Sequence, residues 1–111
     1  MASRDHLSGL EELILMIVVG LGADAYGVSV QSKLENDVRR RVALGAVYAA
    51  LDRLERRGYV TSSFGDATPQ RGGRRKRMFT VTPLGVRALH TAHRTHERLW
   101  RTVEAVTGTR R

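Results

Sequence analysis

Residues 44–82 restrict the fold of this chain more than any other stretch, because a short helical pattern runs straight into an arginine-loaded hairpin. Leu44, Val47, Leu51 and Leu54 recur at the spacing of one core-facing helix side, and Gly58 stands where such a helix ends. Two strand-like runs follow at 59–64 and 77–82, joined by a polar, glycine-containing and strongly basic segment, 65–76. A helix followed at once by a cationic β-hairpin is the layout of a winged helix. In that layout one element can enter a DNA groove while the other holds phosphates.

The rest of the chain supplies the helices such a unit needs. Ser8 can cap a first helix, with Glu11 reaching back from three residues later. Leu10, Leu13, Ile14, Ile17, Val18 and Leu21 form its apolar stripe, and Gly20 and Gly22 are placed to end it. Leu15, Met16 and Val19 add apolar groups on its other faces, so a partner subunit is expected to cover part of it. Asp24 can cap a second helix through Tyr26, Val30 and Leu34 that ends near Asn36 and Asp37. Arg39, Arg40, Arg41 and Val42 then form a basic connector with room for one short strand beside the hairpin.

Thr82 and Pro83 restart a helix, threonine at the cap and proline at the first helical position, and it can run to Thr107 before Gly108. Leu84, Ala88, Leu89, Ala92, Leu99, Trp100, Val103 and Val106 give it an apolar side. A helix of roughly 25 residues exceeds the usual length of about 11–12 and would project beyond a compact core, so dimerisation is the natural way to bury it. The expected fold is mainly α with a small β-hairpin: a winged helix-turn-helix DNA-binding domain at 7–82, a long C-terminal dimerisation helix at 83–107, and tails at 1–6 and 108–111.

Charge narrows the choice of partner. The 111 residues carry 19 Lys and Arg against 11 Asp and Glu, a net charge of +8. A field of that sign attracts polyanions, nucleic acid above all, though an acidic membrane surface would be attracted too. There is no cysteine, so disulfides and thiolate metal sites are excluded. The apolar run 13–19 is broken by Gly20, far short of the roughly 20 residues that span a bilayer, and Glu11 and Glu12 precede it. A cytoplasmic protein without a membrane segment is expected.

If Leu44, Val47, Leu51 and Leu54 face inward, the third helix shows Gly45, Ala46, Tyr48, Ala49, Asp52, Arg53 and Arg56 to its surroundings. The small residues let its backbone approach DNA. Tyr48 can donate to a phosphate or pack on a thymine methyl, and Arg53 can reach a phosphate or a base edge. The plainer reading makes Tyr48 a half-buried aromatic and the arginines a solvated surface. In the hairpin, Arg71, Arg74, Arg75, Lys76 and Arg77 crowd into seven positions, where mutual repulsion opposes folding unless a polyanion relieves it. Gly72 and Gly73 allow the tip to enter a minor groove or follow a backbone. A merely soluble loop would mix its charges.

The chain resembles the PadR-like transcriptional regulators from about Leu7 to Leu89. The likeness rests on Glu11-Glu12-Leu13-Ile14-Leu15, Ala25-Tyr26-Gly27-Val28, Gly45-Ala46-Val47-Tyr48 with Leu51-Asp52-Arg53-Leu54-Glu55, and Thr68-Pro69-Gln70-Arg71-Gly72-Gly73-Arg74-Arg75-Lys76-Arg77. It implies a homodimeric repressor with a winged helix-turn-helix and, as in the short subfamily, a single C-terminal helix. By that likeness Tyr48 belongs to the recognition helix, and Arg71, Arg74, Arg75 and Lys76 to the wing. The family often has serine or threonine just before the recognition helix, where this chain has Ala43, so a cap worth about 1 kcal/mol is lost. The resemblance also implies a flat hydrophobic effector at the dimer interface, where Trp100 could stack on it. A buried interface anchor is the other role open to that tryptophan.

His90, His93 and His96, with Glu97, raise a metal reading, since residues three apart are neighbours on a helix. His90 and His96 point apart, so one ion could hardly take all three, and solvated or interface histidines fit better, with a pH-sensitive interface as open as the metal. No metal or other cofactor is expected. Catalysis is not expected either, since Gly20-Leu21-Gly22 lacks the strand and third glycine of a dinucleotide site, and Glu11 and Glu12 cannot converge on one bond. The sequence therefore reads as a sequence-specific regulator of double-stranded DNA with a pseudo-palindromic operator. The alternative is a basic DNA- or RNA-binding module without sequence choice.

Overall fold

The structure, a computed structural model, describes residues 6–65 and 75–108. Its elements run α1 (Gly9–Leu21), a single 3-10 turn (Gly22–Asp24), α2 (Gly27–Asp37), α3 (Leu44–Arg56), β1 (Val60–Phe64), β2 (Arg77–Val81) and α4 (Pro83–Thr107). This is a winged helix with a long C-terminal helix.

The start of α1 is the reciprocal cap expected from its sequence. The Ser8 N–H donates to Glu11 Oε1 at 3.0 Å, and the Glu11 N–H donates to Ser8 Oγ at 3.1 Å. Gly20 stays inside the helix, and Gly22, with φ 58°, is the residue that closes it. The second helix begins differently from expectation. Asp24 lies in the 3-10 turn, and the capping hydroxyl belongs to Ser29, which accepts from the Tyr26 N–H at 3.0 Å and donates to the Asp24 carbonyl at 2.6 Å. Three residues into the helix, serine reaches both groups, which an aspartate upstream cannot.

The connector between α2 and α3 holds no strand. Arg39 takes a left-handed φ of 61°, the Arg40 N–H donates back to the Leu34 carbonyl at 2.9 Å, and Gln31 Nε2 donates to the Val42 carbonyl at 3.0 Å. Its backbone groups are thus spent on a turn. The extra edge of the hairpin comes from earlier in the chain: the Phe79 N–H donates to the Ala25 carbonyl at 2.9 Å, and Tyr26 bridges Met78. The hairpin is antiparallel, from Val60 opposite Val81 to Phe64 opposite Arg77.

One core joins these elements. Ile14, Leu15 and Val18 of α1, Val30 and Leu34 of α2, and Val47, Ala50, Leu51 and Leu54 of α3 close over Tyr59, Val60 and Phe79. Ala50 takes an inner position on α3, while Leu44 at the end of the helix is only half-buried. The inward side of α3 is therefore rotated slightly from the one its leucines suggest.

Thr82 Oγ1 accepts from the Gly85 N–H at 3.1 Å and donates to the Gly58 carbonyl at 2.6 Å, so the cap of α4 also closes the end of α3. Gly85 lies hard against the preceding chain, because a Cβ there would fall 2.3 Å from the Tyr59 carbonyl oxygen. Only Gly85 and Ala88 of α4 are buried. Its distal half leaves Leu99, Trp100, Val103 and Val106 exposed, and the molecule is drawn out to 57 × 31 × 21 Å. Among the described residues no helix is long and apolar enough to cross a membrane.

Candidate nucleic-acid interface

The outward face of α3 presents Gly45, Ala46, Ala49 and Arg56, all exposed and without bulky apolar side chains. Tyr48 stands at the edge of this face and is half-buried. Its ring rests on the first turn of α2 at Gly27, where a Cβ would lie 2.3 Å from the Tyr48 Cζ. Glycine at 27 thus makes room for the ring and its hydroxyl, and Tyr48 sits as the half-buried aromatic of the plainer reading. At the start of α3, Ala43 offers no side-chain cap.

Arg53 is tied down rather than free. Its Nε donates to Glu11 Oε2 at 3.1 Å, and Arg57 Nη1 reaches Glu11 Oε1 at 3.2 Å. Glu11 is 5% exposed, so this carboxylate is an anchored node between α1 and α3. Burial pushes its pKa up, but the Ser8 N–H bond and the two guanidinium groups outweigh that and hold it below the usual value of 4.5. Arg53 retains about half its exposure, 46%.

A second network lies at the root of the wing. Arg77 Nη1 meets Asp52 Oδ1 at 3.0 Å, and Nη2 meets Glu55 Oε1 at 2.6 Å. Its Nε donates to Ser62 Oγ at 3.2 Å, and that hydroxyl donates to Glu55 at 2.9 Å. The sequence placed Arg77 among the unrelieved wing cations, whereas here both of its facing acids belong to α3. Burial lowers the Arg77 pKa, but the two carboxylates raise it by more. The signal was present in the sequence: Asp52 and Glu55, three apart, share one helix side. What the sequence does not give is the strand residue that meets them. As a result, Glu11, Asp52 and Glu55 all reach an arginine, Glu11 with two to itself and Asp52 and Glu55 sharing Arg77.

Of the wing residues expected to hold phosphates, Arg71, Gly72, Gly73 and Arg74 lie outside the described residues. Arg75 donates from Nε to the Gly65 carbonyl at 3.2 Å and passes over the Phe64 ring. Lys76 turns back toward α2, its Nζ 3.6 Å from the centre of the Tyr26 ring. Lys76 and Tyr48 thus approach the same turn, at Tyr26 and Gly27.

On α4, Trp100 is 51% exposed and donates from Nε1 to Glu104 Oε2 at 3.1 Å. His93 faces Glu97 at 3.4 Å, while His96 reaches across to Glu12 of α1 at 3.2 Å. The two histidines therefore address different carboxylates. An open groove of about 300 Å³ beside α1 is lined by Leu13, Met16, Ile17 and Gly20, with Lys33, Asp37 and Val38 across it.

With this geometry in hand, similarity to known proteins falls on the same elements. The profile of the transcriptional regulator PadR-like family matches residues 14–91. A PadR-like transcription factor from Bacteroides fragilis superposes with TM-score 0.71 at 23% identity, over 87% of this chain and 88% of that one. A PadR-like transcriptional regulator from Bacillus cereus gives TM-score 0.70 at 19% identity, over 91% and 93%. Bacillus subtilis PadR, solved in complex with operator DNA, gives TM-score 0.65 at 22% identity, over 76% of this chain and 46% of that one. No curated protein matches the chain.

Proposed function

The chain belongs to the PadR-like family of transcriptional regulators, and from that premise we propose that it is a homodimeric, sequence-specific DNA-binding repressor released by a small hydrophobic effector. The observation that carries the DNA-binding reading is the outward face of α3. It is lined by Gly45 and Ala49, flanked by Tyr48 and Arg53, and lies beside the root of a hairpin with a single-sign basic run. Nearby acids are bound by arginines of the fold itself, Glu11 by Arg53 and Arg57 and the pair Asp52 and Glu55 by Arg77, which lessens their repulsion of a phosphate strand.

In this reading α3 enters the major groove. Gly45 and Ala49 admit the backbone to the base edges, while Tyr48 and Arg53 contact phosphate or base at the two margins. Arg71, Arg74, Arg75 and Lys76 hold the flanking strand, with Gly72 and Gly73 giving the tip its reach. The relative from Bacillus subtilis, crystallised on operator DNA, supports this use of the fold.

The exposed apolar residues of α4 and of α1, including Leu99, Val103, Val106, Met16 and Val19, support a second copy as partner. Two subunits would place their α3 helices in successive major grooves, about 34 Å apart, over a pseudo-palindromic operator. Trp100 lies on this same surface, where a flat aromatic effector could stack on it and alter the spacing of the two α3 helices.

Footprinting on the DNA upstream of its own gene tests this reading. Two protected half-sites centred one helical turn apart are expected. A continuous, evenly spread protection would favour the reading of a basic module without sequence choice, as would equal competition by RNA. That rival draws on the lack of Asn and Gln, the usual adenine readers, on the outward face of α3.

A further inference from the structure

The connector between α2 and α3 carries three consecutive arginines that the interface described above does not use. Arg39, Arg40 and Arg41 are all exposed. Arg41 makes one long ion pair, 3.6 Å to Glu35, at 88% side-chain exposure. Among the described residues neither Arg39 nor Arg40 meets any side-chain acceptor. The other acid nearby is already committed, since Asp37 pairs with Lys33 at 2.8 Å. The run therefore stands as a nearly unrelieved cationic patch, in contrast to Arg53, Arg57 and Arg77, each of which faces a carboxylate.

The backbone under this patch is unusual. Arg39 has a φ of 61°, and it is the one described non-glycine residue with a positive φ. It follows the end of α2 at the position where a helix normally turns out through glycine. Glycine would fit that conformation without strain, so the arginine is held there at a backbone cost. The turn is nonetheless firmly built, by the Arg40 N–H to Leu34 bond and the Gln31 to Val42 bond at 3.0 Å. Its arginines are therefore presented from a fixed loop.

Position supplies the third argument. The patch precedes the first residue of α3, whereas Asp52 and Glu55, which bind the wing root through Arg77, lie in the last two turns of that helix. The two basic features thus lie toward opposite ends of a 13-residue helix, itself about 20 Å long at 1.5 Å per residue.

We infer that Arg39, Arg40 and Arg41 form a second phosphate-binding patch, which grips a DNA backbone at the entry to α3 while the wing grips at its exit. This rests on the DNA-binding reading above. Two grips at the two ends of α3 fix its tilt in the groove as well as its depth, which neither grip does alone. The ligand class is the phosphodiester backbone, read without regard to base.

The test uses the full-length protein and a mixed-sequence 30-base-pair duplex, with binding measured across a salt series. Arg39→Gly combined with Arg40→Gln removes two charges while easing the backbone. Arg94→Gln combined with Arg101→Gln removes the same charge from α4. The patch variant is expected to melt no lower than wild type, to bind roughly tenfold or more weakly, and to lose about 1 from the salt slope per phosphate contact removed. The α4 variant should lose much less of either. Equal losses in the two variants would overturn the patch, because bulk charge would then explain both, and so would an unchanged salt slope in the patch variant. A wild-type protein that ignores the duplex at every salt would instead overturn the DNA-binding reading, and the patch with it.

Discussion

Arg77, the first residue of β2, holds Glu55 of α3 at 2.6 Å, so the wing and the last turns of α3 are joined at their root. Ser62 of β1 completes the junction by bonding both partners. A part-buried, multiply bonded arginine of this kind fixes geometry in a way that a solvated pair does not. The hairpin and helix are therefore braced against each other as one surface.

Breaking that junction should uncouple the two. Arg77→Met is expected to reduce stability by about 1–2 kcal/mol, because Asp52 and Glu55 lose their partner at a half-covered site. Denaturant titration measures this. The same variant should bind DNA more weakly while leaving Asp52 and Glu55 to repel phosphate, so the added replacement of Glu55 by Gln should restore part of the affinity.

Acid should weaken the fold through Glu11. Its folded pKa lies below the usual 4.5, so the unfolded chain binds the proton first as pH falls. The stability it contributes is fully present above about pH 5 and is lost as pH falls through the folded value. Glu11→Gln keeps an acceptor for the Ser8 N–H but removes the charge, at an expected loss of about 1 kcal/mol at neutral pH. The gap between wild type and variant should begin to close as pH falls through 4.5 and go on closing through the lower folded value. A gap that stays constant down to pH 3 would mean that Arg53 and Arg57 contribute nothing through that charge.

Gly85 is where α4 meets the core. An alanine there would push its Cβ to 2.3 Å from the Tyr59 carbonyl oxygen, a backbone atom that cannot swing aside. Gly85→Ala should therefore destabilise by roughly 1–3 kcal/mol despite the higher helix propensity of alanine. Alanine at Gly20, which has open space around it, should be neutral or stabilising. Thermal melts of the two variants check the contrast.

Ala49 is exposed on the outward face of α3 and supports no packing. Ala49→Glu should leave the melting temperature within about 2 °C of wild type, as surface changes usually do. It should abolish DNA binding by placing a carboxylate against the groove. Gel shift and melting on the same preparation separate these effects.

The apolar side of α4 should hold two subunits together. Sedimentation is expected to give twice the 12.4 kDa chain mass. Replacing Val103 and Val106 by Glu should shift it toward one chain. Trp100 emission should move to longer wavelength in that variant if its ring lies in the interface.

Much of this architecture was legible in the sequence, and the residues show why. Ser8 with Glu11, Thr82 with Pro83, and the glycines at 58 and 108 act within one or two turns, so their local chemistry decides the helix ends. Most of the misreadings came where a distant partner decides. The extra pairing beside the hairpin is expected near Val42, and only the tertiary bond from Phe79 places it at Ala25, as an isolated bridge and not a strand. Ser29 displaced Asp24 as the cap because its hydroxyl reaches two backbone groups at once. Arg53 and Arg77 looked alike as surface cations, yet Glu11 lies 42 residues from Arg53 along the chain, and no local pattern announces that pairing. Tyr48 likewise needed Gly27 to reveal its half-buried seat.

The central claim is that this surface selects a DNA sequence. Its most direct test is fluorescence anisotropy of the full-length protein on DNA upstream of its own gene, against a scrambled duplex, at two salt concentrations. The account predicts a preference of about 10³ or more for the upstream DNA that persists at the higher salt. Equal binding to both duplexes, falling together as salt rises, would contradict it and leave only charge-driven association.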